Sequence, residues 1–228
     1  MQVKYLDWDS NFFNLKIGRV ELFNSDDIDK FYSLVENFKG DYNLIYIFNH
    51  TSSNIKNTLL VDEKVIYQKE VEAKVSYNEV SLYDKIIPNE DLYRLALVSG
   101  KHSRYNIDPN WPQGSYERLY KRWIEQSANG NLANGIFIFK NNDIINGMIT
   151  AKWKENNADI GLVAVDTEVQ GKNIGTKLMS SLENYLSSQT TVKELRVATQ
   201  YSNKQACAWY EKNGFLVESV TRIHHLWL

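Results

Sequence analysis

The chain has 228 residues, 43% hydrophobic and 24% charged, the balance of a globular protein that can bury a sizeable core in one large domain or two small ones. Its 26 basic and 28 acidic residues leave a formal charge of -2, which argues against a nucleic-acid backbone or an anionic membrane as partner. The single cysteine, Cys207, has no internal disulfide partner and fits a reducing compartment, so a cytoplasmic location is expected.

From Met1 to Phe13 apolar and acidic residues alternate without a basic start or an apolar core, so no leader peptide is expected, and no apolar run approaches transmembrane length. Lys16 to Phe23 reads as a strand. Asn24, Ser25 and Asp26 supply cap chemistry for a helix over Asp27 to Phe38, with Gly40 to end it. Tyr42 to Phe48 is an apolar strand, and Lys64 to Val80 reads as one extended strand with polar interruptions. Pro88-Asn89-Glu90 punctuates the pattern, which puts a domain boundary at Tyr83 to Pro88 and a helix over Asp91 to Ser99. A loop over Lys101 to Gly114 and a helix over Tyr116 to Gln126 follow.

From Gly135 the expected order is strand, turn, strand, strand, helix, strand, helix, strand. Gly135 to Phe139 and Ile144 to Trp153 flank the hairpin turn Asn141-Asn142-Asp143. The remaining elements are a strand at Ala158 to Val165, a helix at Gly175 to Ser187, a strand at Glu194 to Thr199, a helix at Ser202 to Lys212 and a strand at Val217 to Leu228. The whole is an α/β chain with a small N-terminal α/β unit.

The segment Ile160 to Leu178 is a strand, a glycine-containing polar turn and the first turn of an amphipathic helix. A helix N-terminus offers unpaired amides and a positive dipole end, which suit a pyrophosphate. Two glycines in such a unit also arise from tight packing alone. Gln170 to Gly175 resembles the acyl-CoA-binding signature of the GNAT acyltransferases: a Gln or Arg, two free positions, Gly, one free position, Gly or Ala. Asn173 stands where that family usually has glycine, and asparagine tolerates a positive φ. Downstream, Asn203, Ala206, Tyr210 and Gly214-Phe215 resemble the second GNAT hallmark. Asn203, Ala206 and Tyr210, at i, i+3 and i+7, share a helix face.

The resemblance implies a GNAT fold, with a mixed, splayed central sheet flanked by helices and preceded by a half-GNAT-like unit over 1–82, the catalytic domain filling 83–228. It implies acyl-CoA as co-substrate, held by Leu162, Val163 and Val165 on the strand, by Gln170, Gly171, Lys172, Asn173, Gly175 and Thr176 in the turn, and by Asn203. The splayed strand's free groups, at Val163 and Val165, would pair with the pantetheine arm and polarise the thioester carbonyl. Tyr210 and Asn203 are the expected catalytic residues, Tyr210 as the acid that protonates the thiolate from near its solution pKa. A core tyrosine is the alternative for Tyr210.

Asp7 to Phe13, His102-Ser103-Arg104-Tyr105, Tyr120 to Trp123 and Arg196 to Gln200 resemble the dTDP-fucosamine acetyltransferase group. That resemblance implies a dTDP-linked amino-dideoxy sugar as acceptor, with an acetyl or short hydroxyacyl group, such as 3-hydroxybutanoyl, as cargo. Lys101, His102 and Arg104 can meet a diphosphate, and Tyr105 or Trp111 can stack on thymine, although a solvated loop reads equally well. Trp123 and His225 complete the expected acceptor set; His224 and His225 sit on opposite faces of the last strand. No metal is expected, because no ligand set recurs at close spacing. Glu117, Asp108 and His102 are candidates for a general base, none singled out. The acceptor position and the oligomeric state, monomer or homodimer, stay open.

Overall fold

The computed structural model describes residues 2–228; Met1, at the head of the stretch expected to be no leader, lies outside them. The described elements, in chain order, are β1 (Lys4–Tyr5), α1 (Asp7–Phe13), β2 (Ile17–Leu22), α2 (Ser25–Leu34), β3 (Leu44–Asn49), β4 (Leu59–Glu70) and β5 (Val80–Leu82). Then come α3 (Glu90–Ser99), α4 (Arg104–Ile107), α5 (Ser115–Ala128), β6 (Gly135–Asn141), β7 (Ile144–Lys154), β8 (Asn157–Val165), α6 (Ile174–Gln189), β9 (Glu194–Gln200), α7 (Lys204–Lys212) and β10 (Leu216–Trp227).

Local chemistry explains most of these limits. Asn24 caps α2 by accepting from the Asp27 amide at 2.9 Å, and Asn89 caps α3 by accepting from Leu92 at 3.1 Å. The β6–β7 hairpin turns on Asn142 and Asp143, both at positive φ (50° and 66°), which asparagine and aspartate tolerate and whose twist matches the flanking strands. α2 gives way at Val35 to a short 3-10 turn ending at Phe38, so the expected helix is shorter than its apolar pattern. The strand expected over Lys64 to Val80 begins instead at Leu59 and ends at Glu70, where its partner β9 begins at Glu194. The chain then crosses α6, with the Tyr77 amide donating to Ser181 Oγ at 3.1 Å, and resumes pairing as β5. Two short helices, α1 and α4, lie where no helix was expected.

The ten strands of the described residues form one mixed sheet in the order β1-β2-β3-β10-β4-β9-β8-β7-β6-β5. Strands from both sides of residue 82 therefore share it, with β4 seated between β10 and β9 and β5 beside β6. The sheet is covered on both faces. α1, α3, α4 and α5 bury Phe13, Leu92, Leu95, Tyr105, Leu119 and Ile124 against one face. On the other, α6 and α7 pack Leu178, Leu182, Cys207 and Tyr210 over β8 and β9, and α2 packs Phe31 over β2 and β3. β3, apolar from Leu44 to Phe48, is buried on both faces, as that hydrophobic run requires.

Candidate functional site

The site is built where β8 leaves β9. These parallel strands pair from Asn157 opposite Glu194 to Ile160 opposite Val197, and no further. β8 continues to Val165 paired only with β7. At the point of departure β8 carries an extra residue: Ile160 faces Ala151 and Val163 faces Ile149. Thr150 Oγ1 fills the break by accepting from the Leu162 amide at 2.7 Å, and Gly161 fits because a Cβ there would lie 2.8 Å from that hydroxyl. The bulge also exchanges the faces of β8. Ala158 and Ile160 pack under α6 and α7, whereas Leu162 and Ala164 pack under α3 and α5.

Alternation then decides which amides are free. The Leu162 amide is spent on Thr150 and the Asp166 amide donates to Asn146 O at 2.8 Å, both toward β7. Val163 and Val165 therefore turn their amides and carbonyls the other way, into the gap left by β9. The Val165 carbonyl accepts from Gln170 Nε2 at 3.1 Å, and Gln170 Oε1 accepts from Gln205 at 3.2 Å, so this side chain ties β8 to α7.

The turn after β8 is equally open. Gly171 has φ 80° with free space where a Cβ would be, and Asn173 stands at φ 61°, a left-handed conformation that asparagine tolerates. Among the described residues nothing accepts from the amides of residues 171–176. These donors crown the start of α6, whose dipole adds positive potential, and Lys172 and Thr176 beside them are exposed. A phosphate-bearing co-substrate fits such a cradle. Gly175 has a packing reason, since a Cβ would stand 3.2 Å from the Trp209 ring.

A cavity of about 270 Å³ opens beside the gap. Gly161, Leu162 and Val163 of β8, Thr199 and Gln200 of β9, Asn203, Trp209 and Tyr210 at α7, and Asp62 of β4 line one side. Ser103, Arg104, Tyr105, Tyr120 and Trp123 line the other. Asn203 caps α7 by accepting from the Ala206 amide at 3.2 Å, which points the helix face carrying Tyr210 at the cavity. Tyr210 is 4% exposed, packs against Phe215 and Tyr67, and its hydroxyl has no protein partner among the described residues. Burial pushes that hydroxyl above its ordinary pKa, away from the near-solution value expected of it. It stays protonated at neutral pH.

Of the expected acceptor residues, Arg104, Tyr105 and Trp123 meet at this cavity, and Lys101 and His102 lie outside its lining. Arg104 sits over the Tyr46 and Tyr105 rings at 5.1 and 4.7 Å and donates to Tyr105 Oη at 2.8 Å. His225 is elsewhere. Its Nδ1 meets Asp108 Oδ2 at 2.6 Å, both side chains are fully buried, and Trp227 Nε1 donates to the same oxygen at 2.9 Å. This triad fastens the 101–114 segment to β10, which removes Asp108 from the open groups. Trp111, considered for stacking on a base, is 8% exposed and packed among Phe13, Tyr105 and Trp227. Glu117 is exposed on α5. The sequence reading missed Asp62, a buried carboxylate about 150 residues away in the chain from Tyr210; its one signal is an acidic residue inside an otherwise β-forming run.

Among the described residues no cluster of three or more metal-ligating side chains occurs, and no helix is long and apolar enough to cross a membrane.

Comparison with known proteins bears on this geometry. The spore coat polysaccharide biosynthesis protein SpsD of Bacillus subtilis (strain 168) is 27% identical over 158 residues, 64% of this chain and 54% of that protein, so the match spans about half the length of that relative. A conserved protein of unknown function from Staphylococcus epidermidis ATCC 12228 superposes with a TM-score of 0.66 at 12% identity, over 97% of this chain and 89% of its own. A GCN5-related N-acetyltransferase from Sphaerobacter thermophilus superposes with a TM-score of 0.58 at 12% identity, over 98% and 75% of the two chains. A model of the acetyltransferase (GNAT) family matches residues 91–215, from α3 through the end of α7. That match runs over more than half of the chain and takes in both the open turn and Tyr210, and the protein therefore belongs to the GNAT family of acyl-CoA-dependent N-acetyltransferases.

Proposed function

We propose that this protein transfers an acyl group, acetyl or a short hydroxyacyl such as 3-hydroxybutanoyl, from acyl-CoA to the amine of a dTDP-linked amino-dideoxy sugar, for surface-polysaccharide synthesis in the cytoplasm. The observation that carries the acyl-transfer part is the gap between β8 and β9, with Val163 and Val165 turned into it beside the open amides of residues 171–176. In this reading those amides take the pyrophosphate, the arm pairs along Val163 and Val165, and one of their amides stabilises the charge that develops on the thioester oxygen. Tyr210 protonates the leaving thiolate, and Asn203 holds its helix in place. Residues 1–82 act as a half-GNAT-like unit whose β4 supplies one wall of the acceptor cavity, and 83–228 as the catalytic unit.

Two things support a sugar nucleotide as acceptor. The relative SpsD bears the name of a polysaccharide biosynthesis protein. The cavity joins the guanidinium of Arg104 to the rings of Tyr105, Tyr120 and Trp123, a combination that suits a diphosphate next to stacked rings. Lys101 and His102, next to Arg104 in the chain, meet the diphosphate outside the cavity; His225 has no part. Mass spectrometry of products from acetyl-CoA and 3-hydroxybutanoyl-CoA with a panel of dTDP-amino sugars is expected to show one added acyl group. Turnover of polyamines or peptide N-termini, with every dTDP-amino sugar unchanged, overturns the choice of acceptor.

A further inference from the structure

Asp62 sits where β4 carries an extra residue against β10, with Ile223 opposite Asp62 but His224 opposite Leu60. A bulge of this kind turns side chains out of the strand's alternation. Asp62 is only 8% exposed, lines the same cavity as Tyr210 and Val163, and its Oδ1 is enclosed with no hydrogen-bond partner among the described residues. A buried carboxylate oxygen without a donor is costly, so such groups persist where something binds them. A primary ammonium supplies three N–H donors and the missing positive charge.

Resting on the acyl-transfer reading above, we propose that Asp62 is the carboxylate that receives the acceptor's ammonium in this cavity and takes a proton from it, freeing the amine for attack. The balance is simple. The ammonium gives one proton to Asp62, the neutral nitrogen bonds to the thioester carbon, and the C–S bond breaks. Tyr210 gives its proton to the sulfur and recovers one, through solvent, from the new amide nitrogen. Asp62 then releases its proton to water, so the reaction yields the amide, the free thiol and one proton.

The groups that line the cavity with Asp62 are consistent with this role. Arg104 and Tyr105 come from α4, Tyr120 from α5 and Tyr210 from α7; β9 offers the uncharged Thr199 and Gln200. Lys64 and Glu63 lie on β4 itself, and Arg222 of β10 is held by Glu63 at 3.4 Å. Burial is the main influence and, against the pull of Arg104 and Lys64, pushes the carboxyl up to about 7. A base titrating near neutral pH holds a useful fraction of both its forms.

The test uses the full chain, acetyl-CoA and dTDP-4-amino-4,6-dideoxygalactose, with thiol release as readout. Asp62→Asn is expected to lower kcat/KM about 100-fold at pH 7 while CoA affinity, measured by calorimetry, is unchanged. In the wild-type enzyme the acid limb of kcat/KM should stay near pH 7 when the acceptor is exchanged for one whose ammonium pKa differs by about one unit. A limb that follows the acceptor's own pKa, or an Asp62→Asn enzyme with wild-type rate and profile, overturns the role of Asp62 and leaves acyl transfer standing. A wild-type protein that releases no thiol with any amine removes the acyl-transfer reading and this role together.

Discussion

Departure of a thiolate demands a proton at the sulfur, and Tyr210 is the hydroxyl that the α7 face brings to the cavity, without a protein partner among the described residues. Replacing it with phenylalanine keeps the packing against Phe215 and Tyr67 and removes only the hydroxyl, and with it the transferable proton. We expect Tyr210→Phe to lower kcat about 100-fold with CoA affinity unchanged; an unaltered kcat takes Tyr210 out of the mechanism. The residues of α7 were legible because one short helix carries them at fixed spacing. Asp62 was not, since its place depends on pairing between strands far apart in the chain and on a bulge that only β10 reveals. His225 shows the opposite limit. Alternation along β10 assigns it a face, but whether that face meets a cavity or a buried aspartate depends on where the 101–114 segment lies.

At the level of elements, the site depends on β8 changing partners and faces within two residues. Thr150 is 2% exposed, and its hydroxyl is the partner of the Leu162 amide at the bulge. Thr150→Val keeps the shape but strands that amide, so it should lower stability by about 1–3 kcal/mol in urea titrations and weaken CoA binding, because Val163 and Val165 are aimed by the same bulge. Unchanged stability would mean that the amide finds another acceptor. The turn itself was readable, down to the left-handed asparagine at position 173, because Gly171, Asn173 and the start of α6 are local chemistry. The role of Gly175 was not, because it follows from Trp209 packing across from another helix.

For the molecule as a whole, two buried titrating groups oppose each other. Burial pushes the His224 imidazole down to about 4. Between there and its ordinary value near 6.5 the unfolded chain binds a proton that the folded chain refuses, so stability falls as pH falls through that window. Asp62, raised to about 7, acts in the reverse sense: from about 4 to 7 the folded chain keeps a proton that the unfolded carboxylate releases, and stability falls as pH rises. Over the shared window from about pH 4.5 to 6.5 the contributions of these two groups offset each other. Asp62→Asn removes one side of the balance. It should be more stable than wild type at pH 8, by on the order of 2 kcal/mol, and should lose stability steeply on acidification below about pH 6.5. Urea titrations at pH 5 and 8 test this, and a variant weaker than wild type at pH 8 contradicts it.

The α/β alternation, the hairpin at Asn142-Asp143, the open turn at 170–176 and the shared face of Asn203 and Tyr210 were determined by the sequence itself. Each rests on caps, turn residues and periodicities that act within about a dozen neighbouring residues. Long-range pairing decided the rest: that β4 lies between β10 and β9, that β8 parts from β9 after Ile160, that His225 faces Asp108, and that Asp62 joins Tyr210. Strand order and bulge position come from which apolar faces can be buried together, and that balance is struck over the whole core, where no local pattern records it.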